Sequence, residues 1–228
     1  MNNYVNAEIT VFQQKMNGYL MLFNYRMMNL CVKAEPASLM PASIVLEDGA
    51  AYNIEDVANI NKPDDYHFKV TPKNKNNMMP ILEAVFAIHP EFEMEEKQEK
   101  NAFNEVEHFV IYSMPEVDKE RRDLLNETTT SFHKECLARL DLEYASQSAS
   151  FVSVLASVPA EEAEEAKDTI SEIYDKAKEN ADEMLKAKLT EIEDGYQRYL
   201  QQKEDREAQA ANEFDFSKGM RPNNPLDE

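Results

Sequence analysis

The chain of 228 residues contains only four glycines and two cysteines, and it has no tryptophan. So few glycines, with none in a Gly-rich cluster, exclude a phosphate-binding loop. Neither a Cys-x-x-Cys nor a His-Glu-x-x-His spacing occurs, so the sequence predicts no metal site. Cys31 and Cys136 each lie in an apolar helical context, and we expect buried thiols rather than a disulfide.

Long apolar runs and an excess of positive charge are also missing. No apolar run reaches the roughly 18–20 residues of a membrane span, and the first residues lack the pattern of a signal peptide. We therefore expect a cytoplasmic protein without membrane contact. The formal charge of −20, from 44 acidic and 24 basic residues, disfavours general nucleic-acid binding, which depends on neutralising phosphates. It is compatible with a local basic patch or with a basic protein partner.

The apolar residues of the C-terminal third recur every three or four positions and predict one long helix over residues 161–211. At 1.5 Å per residue, roughly 45 helical residues would span about 65–70 Å. This length suits an elongated bundle, and its single apolar stripe requires partner helices. The stripe consists of Ile170, Ile173, Tyr174, Ala177, Ala181, Met184, Leu185, Leu189, Ile192, Tyr196 and Tyr199.

Two further long helices are predicted, over residues 4–33 and 116–155. The first carries the seam Ile9, Phe12, Met16, Tyr19, Phe23, Met27 and Leu30. The second carries Leu125, Thr128, Phe132, Cys136, Leu140, Tyr144 and Phe151 roughly on one face. After the third helix, residues 212–228 contain turn formers without a period, and we expect a flexible tail there.

The middle of the chain has a mixed pattern. We predict strands at residues 43–47, 66–71 and 108–112, one or two helical turns at 54–60, a helix at 76–87, and an exposed linker or hairpin at 92–104. The expected fold is therefore α+β: an elongated three-helix bundle (1–33 and 115–211) with an inserted small β/α/β domain (34–114). Pro36 and Pro115 adjoin the two crossings between these parts, which permits a hinge. We expect a monomer.

Catalytic interpretations have little support. The histidines are His67, His89, His108 and His133. His133 and Cys136 share a helix face, but a nucleophile pair also needs an orienting group and a pocket. The acidic runs at 93–99 and 161–165 lack the spacing of a calcium loop. An enzyme would need a pocket at the corner between bundle and insert, around His108 and Glu120, and no spacing indicates one. We expect a non-enzymatic protein.

Basic residues are scarce, and Lys119, Arg121 and Arg122 cluster at the start of the second helix, with Arg139 farther along it. One interpretation is phosphate contact, because arginine binds phosphate in a fork. The other is pairing along the helix with acidic neighbours such as Asp118 and Asp123. Composition alone favours the second interpretation.

Three segments resemble the ribosome recycling factor family. Residues 114–124 (MPEVDKERRDL) are similar to its Pro-Pro-Leu-Thr-x-Glu-Arg-Arg-x-x-Leu hinge motif. Residues 36–60 resemble the family's entry into its inserted domain, and residues 69–90 its strand followed by a helix. The resemblance extends over roughly residues 8–205 and is strongest from 36 to 125.

The resemblance implies an L-shaped molecule that enters the vacated A and P sites of a post-termination ribosome. With elongation factor G and GTP, such a protein helps to separate the subunits mechanically. By the same resemblance, Arg121, Arg122 and Arg139 would contact ribosomal RNA of the large subunit, and residues 34–114 would move as a lever about Pro36 and Pro115.

Departures from the family pattern open an alternative. Leu142 and Glu143 occupy positions where the family has basic residues, and residues 31–35 (CVKAE) keep only Lys33 of another basic stretch. Residues 161–228 hold 20 acidic and 10 basic residues, a net charge of −10. The alternative is an acidic paralogue that has lost the RNA contacts and binds a basic protein.

Overall fold

The computed structural model describes the backbone of residues 3–100, 104 and 106–219, and side chains as far as residue 211. In chain order, the helices are α1 (Asn3–Met28), α2 (Ile54–Val57), α3 (Met78–Ile88), α4 (Lys119–Leu155) and α5 (Ala160–Gly219), with 3-10 turns at Pro36–Leu39 and Lys75–Asn77. The strands are β1 (Ser43–Val45), β2 (Ala51–Asn53), β3 (Ala58–Asn61), β4 (His67–Pro72), β5 (Glu93–Lys100) and β6 (Val106–Ser113).

Helices α1, α4 and α5 pack into one bundle, as their apolar seams require. Phe12, Met16 and Phe23 of α1 are buried against Leu140 of α4 and Ala181 of α5. Helix α1 ends at Met28, earlier than the predicted residue 33. Its last turn tightens as Leu30 N–H bonds to the carbonyl oxygen of Met27, 3.1 Å away, and the chain then leaves the bundle.

Helix α5 extends beyond its partners. It begins at Ala160 and continues to Gly219, so it includes the first residues of the predicted tail. Every side chain from 201 to 211 is exposed, because neither α1 nor α4 reaches this part of the helix. The remainder of the predicted tail, residues 220–228, lies outside the described part of the chain.

Residues between α1 and α4 form a smaller unit with two sheets. Strands β1 and β2 make a hairpin, and the second sheet has the antiparallel order β3-β4-β6-β5. The β1–β2 turn requires Gly49, whose φ of 76° lies in the left-handed region. Helix α3 covers the core with Ile81 and Val85, which pack in one cluster with Phe68 and Tyr112.

Three local features of this unit refine the sequence predictions. The segment 92–104 contains strand β5, paired with β6 over eight residues, so the hairpin alternative is confirmed; residues 101–103 lie outside the described part. Residues 54–60 form one helical turn followed by strand β3. Strand β2 was not predicted. The predicted fold class is confirmed: a three-helix arm with a smaller α/β unit inserted after the first helix.

Candidate nucleic-acid interface

The predicted arginine cluster lies at the corner where α4 begins beside the end of α1. Asp118 caps α4, and its carboxylate accepts a hydrogen bond from the backbone N–H of Arg121 at 2.8 Å. Helix α5 passes this corner at Gly195. A Cβ at Gly195 would lie 2.6 Å from Cγ1 of Val32 and 3.2 Å from Cγ2 of Val117, so only glycine permits this approach. The cap and the close crossing together fix the first turn of α4.

Arg121 points into the corner rather than toward solvent. Its Nη2 donates a hydrogen bond to the carbonyl oxygen of Cys31 at 3.0 Å. Burial lowers the pKa of Arg121, and the nearby charges of Glu91 and Asp118 oppose that shift. The half-buried guanidinium therefore joins α4 to the segment that follows α1.

Arg122 lies at the surface and is already paired. Its Nε and Nη2 donate to one carboxylate oxygen of Asp123, at 3.0 and 2.7 Å, and these hydrogen bonds raise the pKa of Arg122. The guanidinium also stacks on the ring of Tyr196 of α5, 4.3 Å from the ring centre. The interpretations as a phosphate contact and as pairing along the helix therefore both apply in part to Arg122. Its guanidinium is accessible, but it is paired with Asp123.

Arg139 is exposed on α4, one turn from Glu135 and one turn from Glu143, the two residues that pair with α1. In the groove between α1 and α4, the guanidinium of Arg26 lies 3.8 Å from the ring centre of Phe132 and pairs with Glu135. The hydrogen bond from Arg26 and the charge of Arg139 lower the pKa of Glu135. One turn farther along α4, Glu143 pairs with Lys15 at 2.7 Å. We call Lys15, Tyr19, Arg26, Glu135, Arg139 and Glu143 the α1/α4 groove.

The structure does not bring the three predicted arginines together. Arg139 is 18 residues from Arg121 along one helix, or about 27 Å. The α1/α4 groove carries three basic residues and two acidic ones, on a chain whose formal charge is −20. Sequence reasoning missed Lys15 and Arg26, because their pairing with Glu143 and Glu135, one turn on either side of Arg139, depends on how two helices pack. Of the two positions where the family pattern has basic residues, Leu142 is 72% exposed and Glu143 is paired with Lys15.

The chain passes between bundle and insert twice, near Ala34 and near Met114, and both crossings are hydrogen-bonded to the same turn of the insert. Ala34 N–H donates to the carbonyl oxygen of Asp65 at 2.7 Å, and Met114 N–H donates to that of Tyr66 at 2.8 Å. Pro36 opens the 3-10 turn after the first crossing, and Pro115 lies in the second. Beyond the corner, α5 contacts this turn and the residue that follows Pro115.

Two arginines of α5 make these contacts. Arg198 pairs with Asp65 at 3.2 Å. Arg206 holds both carboxylate oxygens of Glu116, at 3.0 and 3.1 Å. A rotation of the insert about its two crossings would therefore stretch or break the surface ion pair between Arg198 and Asp65, while the pair of Arg206 with Glu116 holds the bundle side of the second crossing.

The buried His89 lies beside Cys31, as in a catalytic Cys–His pair, but the hydrogen bonds of its ring do not suit general-base catalysis. The Nδ1 of His89 lies 3.0 Å from Glu91, its Nε2 lies 3.0 Å from the carbonyl oxygen of Ser38, and its ring stacks on Phe92. Burial lowers the pKa of His89, but contacts with Cys31, Glu91 and Ser38 raise it to about 10. Both ring nitrogens face oxygen acceptors, so the imidazolium has no free nitrogen to accept the proton of the Cys31 thiol.

The other histidines and cysteines also have structural surroundings. His133 lies 2.7 Å from a carboxylate oxygen of Asp182, and His67 lies 2.7 Å from Asp64. Both cysteines are buried and free, and burial raises the pKa of Cys136. Within the described residues, no group of three or more His, Cys, Asp or Glu side chains is arranged to hold a metal ion. The helices of that part also include none with the length and apolarity to cross a bilayer.

Comparison with known proteins gives matches in structure and none in sequence. No family model matches the sequence, and neither does any curated protein. A solution structure of the ribosome recycling factor aligns with a TM-score of 0.68 and 14% identity, over 85% of this chain and 100% of that one. A model of the T. thermophilus ribosome recycling factor, with E. coli elongation factor G on the E. coli post-termination complex, aligns with a TM-score of 0.53 and 16% identity, over 82% and 98%. The chain therefore has the ribosome recycling factor fold, as the sequence resemblance implied.

Proposed function

We propose that this chain is a ribosome recycling factor-like translation protein, which binds the post-termination ribosome and helps elongation factor G to separate the subunits. The observation that carries this proposal is the alignment over the whole length of a solved recycling factor, with bundle and insert both included. One of the similar structures is bound to a post-termination complex together with elongation factor G. The proposed action is mechanical and needs no bond chemistry.

In this proposal the α1/α4 groove contacts ribosomal RNA. Arg139 is exposed and can reach a phosphate, and Arg26 adds a second guanidinium if it exchanges Glu135 for a phosphate oxygen. Arg122 adds a contact at the corner if it exchanges Asp123 for a phosphate oxygen. Arg121 supports these contacts indirectly, because its hydrogen bond to Cys31 orients the start of α4. Few such contacts give a binding strength that falls only moderately with salt.

The inserted unit, residues 34–114, acts in this proposal as a lever. Pro36 and Pro115 adjoin its two crossings, and the turn at Asp65 and Tyr66 binds both of them. The ion pair between Arg198 of α5 and Asp65 of the insert lies at the surface, where it contributes about 0–1 kcal/mol. It biases the resting position without locking it, so elongation factor G can move the lever.

A second candidate function is binding to a basic protein. The observation that favours it is the acidic outer face of α5, where Glu164, Asp168, Glu172, Asp175 and Glu179 are all exposed. Such a face repels RNA phosphates and attracts a basic surface. In that case the α1/α4 groove would have no partner of its own.

Co-sedimentation with post-termination ribosomes at moderate salt tests the first proposal. The variant Arg26→Gln/Arg139→Gln removes two groove charges, and Lys167→Gln/Lys176→Gln removes two exposed charges of α5 as a matched control. We expect the wild type and the control to pellet with ribosomes and the groove variant to bind at least several-fold more weakly. Absence of binding by all three proteins would overturn the ribosome proposal. Equal binding by all three would overturn only the role of the groove.

Affinity capture from a cell extract distinguishes the second candidate. A stoichiometric basic protein without ribosomal RNA, lost on substituting Glu172→Lys and Asp175→Lys, would favour the protein-binding module. Recovery of ribosomal RNA and ribosomal proteins together would favour ribosome binding.

A further inference from the structure

Helix α1 has a second apolar face that points away from the bundle. Its buried seam includes Phe12, Met16 and Phe23. The opposite face consists of Tyr4, Ala7, Val11, Gln14, Gly18, Met21, Tyr25 and Met28, which we call the outer stripe; all eight are exposed. Met21 is 72% exposed, Tyr25 48% and Val11 45%. The bundle does not require apolar residues at these positions.

The spacing of the outer stripe is that of a helix-pairing seam. Tyr4, Val11, Gly18 and Tyr25 are seven residues apart, and Ala7, Gln14, Met21 and Met28 each follow them by three. This is the a/d pattern of a coiled coil, and it is separate from the buried seam. Helix α1 therefore carries two helix-packing faces, of which α4 and α5 cover one.

The outer stripe contains no charged residue, although the chain has a formal charge of −20. Two of the flanking basic residues are engaged within the molecule, Lys15 with Glu143 and Arg26 with Glu135. The acidic excess lies elsewhere, much of it on the outer face of α5. Two copies that approach through the outer stripe therefore bring no like charges of the stripe itself together.

We propose that two copies of this chain associate through the outer stripe as an antiparallel pair of α1 helices. With a two-fold axis at the level of residue 16, each a position of one copy faces a d position of the other, as antiparallel pairing requires. The facing pairs are Tyr4 with Met28, Ala7 with Tyr25, Val11 with Met21, and Gln14 with Gly18. The largest side chains thus meet small or flexible ones, and the stripe is complementary to itself.

Gly18 supports this arrangement. A glycine inside a helix makes the helix less stable than an alanine would, so a glycine at this position calls for a structural explanation. Within one copy there is none, because nothing lies within 4 Å of a Cβ added at Gly18. In the antiparallel pair, Gly18 lies next to the axis and makes room for Gln14 of the other copy.

The exposed area fits a small dimer interface. If each full side chain presents about 200 Å², the five large apolar residues of the stripe (Tyr4, Val11, Met21, Tyr25 and Met28) leave roughly 540 Å² exposed per copy, at the upper end of the apolar patches on monomers. Two copies would bury at most about 1,100 Å² in total, the size of a weak, concentration-dependent interface. This inference goes beyond the proposed function and differs from the monomer expected from the sequence.

Analytical ultracentrifugation of the full chain between about 1 and 100 µM tests the association. We expect the weight-average mass to rise with concentration from 26.3 kDa toward twice that value. High salt should strengthen the dimer, because it screens the repulsion between two acidic chains while leaving an apolar interface intact. The stripe variant Met21→Lys/Tyr25→Lys should remain monomeric.

The matched control is Leu142→Lys/Val152→Lys, because those residues of α4 are 72% and 71% exposed. It should dimerise as the wild type does. A wild type that is monomeric at every concentration would overturn the proposal, as would equal dimerisation of the stripe variant. All of these substitutions are on exposed positions, so circular dichroism should show the same helix content throughout.

Disulfide trapping tests the antiparallel direction. A mixture of Val11→Cys and Met21→Cys proteins should form the mixed disulfide under mild oxidation, because those positions face each other across the pair. Each protein alone should not cross-link, since its two new cysteines would lie about 15 Å apart along the helices. Rapid cross-linking of Val11→Cys with itself would indicate parallel helices and overturn this arrangement.

Discussion

Arg121 donates a hydrogen bond from Nη2 to the main-chain carbonyl oxygen of Cys31, at 3.0 Å. This bond joins the first turn of α4 to the segment through which the chain leaves α1. A position that sequence similarity assigns to RNA contact therefore has a structural role at the corner. The neighbouring Arg122 keeps its guanidinium at the surface. Arg121 therefore stabilises the corner, and Arg122 is the arginine that a ligand can reach.

The Arg121 contact predicts a stability difference between arginines. Arg121→Ala should lower the free energy of unfolding by about 1–3 kcal/mol, because it leaves the Cys31 carbonyl and nearby acidic groups without their cation. Arg139→Ala, on the exposed face of the same helix, should change it by less than about 0.5 kcal/mol. Urea unfolding followed by circular dichroism measures both values. Equal effects of the two substitutions would contradict the structural role of Arg121.

The crossing of α5 at the corner predicts a strict requirement for glycine at residue 195. Gly195→Ala would place a methyl group 2.6 Å from Cγ1 of Val32, so the helix or the corner must shift. We expect destabilisation by about 1–3 kcal/mol, as for other overpacked sites. Gly18→Ala is the matched control and should stabilise dilute protein by about 0.5–1 kcal/mol, since its Cβ meets no atom. Thermal unfolding of both variants at low concentration would reveal the opposite signs.

The helices were predictable because each has an apolar seam that repeats over many turns. In α1, the predicted seam residues Ile9, Phe12 and Met16 are all buried. Strand β5 was not predictable as a strand, because all eight of its side chains are exposed and their sequence lacks apolar alternation. Its pairing with β6 supplies the structure that its own composition does not favour.

The candidate interface was less predictable than the fold. The resemblance to a hinge motif singled out Arg121 and Arg122, but it could not show that the first is turned inward and the second paired with Asp123. The pairing of Arg26 with Glu135 joins residues 109 positions apart, so no local pattern predicts it. In the sequence, Gly195 was only an isolated glycine in a long helix. The structure shows why a glycine is needed there, because a Cβ would clash with Val32 and Val117.

Both thiols should react only when the protein opens. Cys31 is 3% exposed and Cys136 4%, and burial raises the pKa of Cys136, which lowers its thiolate fraction further. Alkylation of native protein should therefore be slow and should accelerate with urea in parallel with unfolding. Mass spectrometry after timed exposure to iodoacetamide would resolve the two sites. Fast modification of Cys31 in native protein would contradict its burial under His89.

The charge state of His89 predicts a pH dependence of stability in the alkaline range. Contacts with Cys31, Glu91 and Ser38 overcome the effect of burial and raise the pKa of His89 to about 10, above the ordinary value of 6.5. A group whose folded pKa is raised stabilises the protein fully below its unfolded pKa and loses that contribution as pH rises through the folded value. Stability should therefore fall between pH 6.5 and 10, with a slope of at most about 1.4 kcal/mol per pH unit from this group.

His89→Asn isolates this contribution, because it keeps a polar side chain but cannot carry the charge. The difference in unfolding free energy between wild type and His89→Asn should be largest near pH 6 and shrink by an amount on the order of a few kcal/mol by pH 9.5. Comparing the two proteins removes the effect of ionisable groups that do not contact residue 89, such as Cys136, because these are the same in both. His67→Asn is the matched control, because its ring lies at the surface beside Asp64. If the His89→Asn difference is constant over this range, His89 is neutral in the folded protein and the pairing with Glu91 is not ionic.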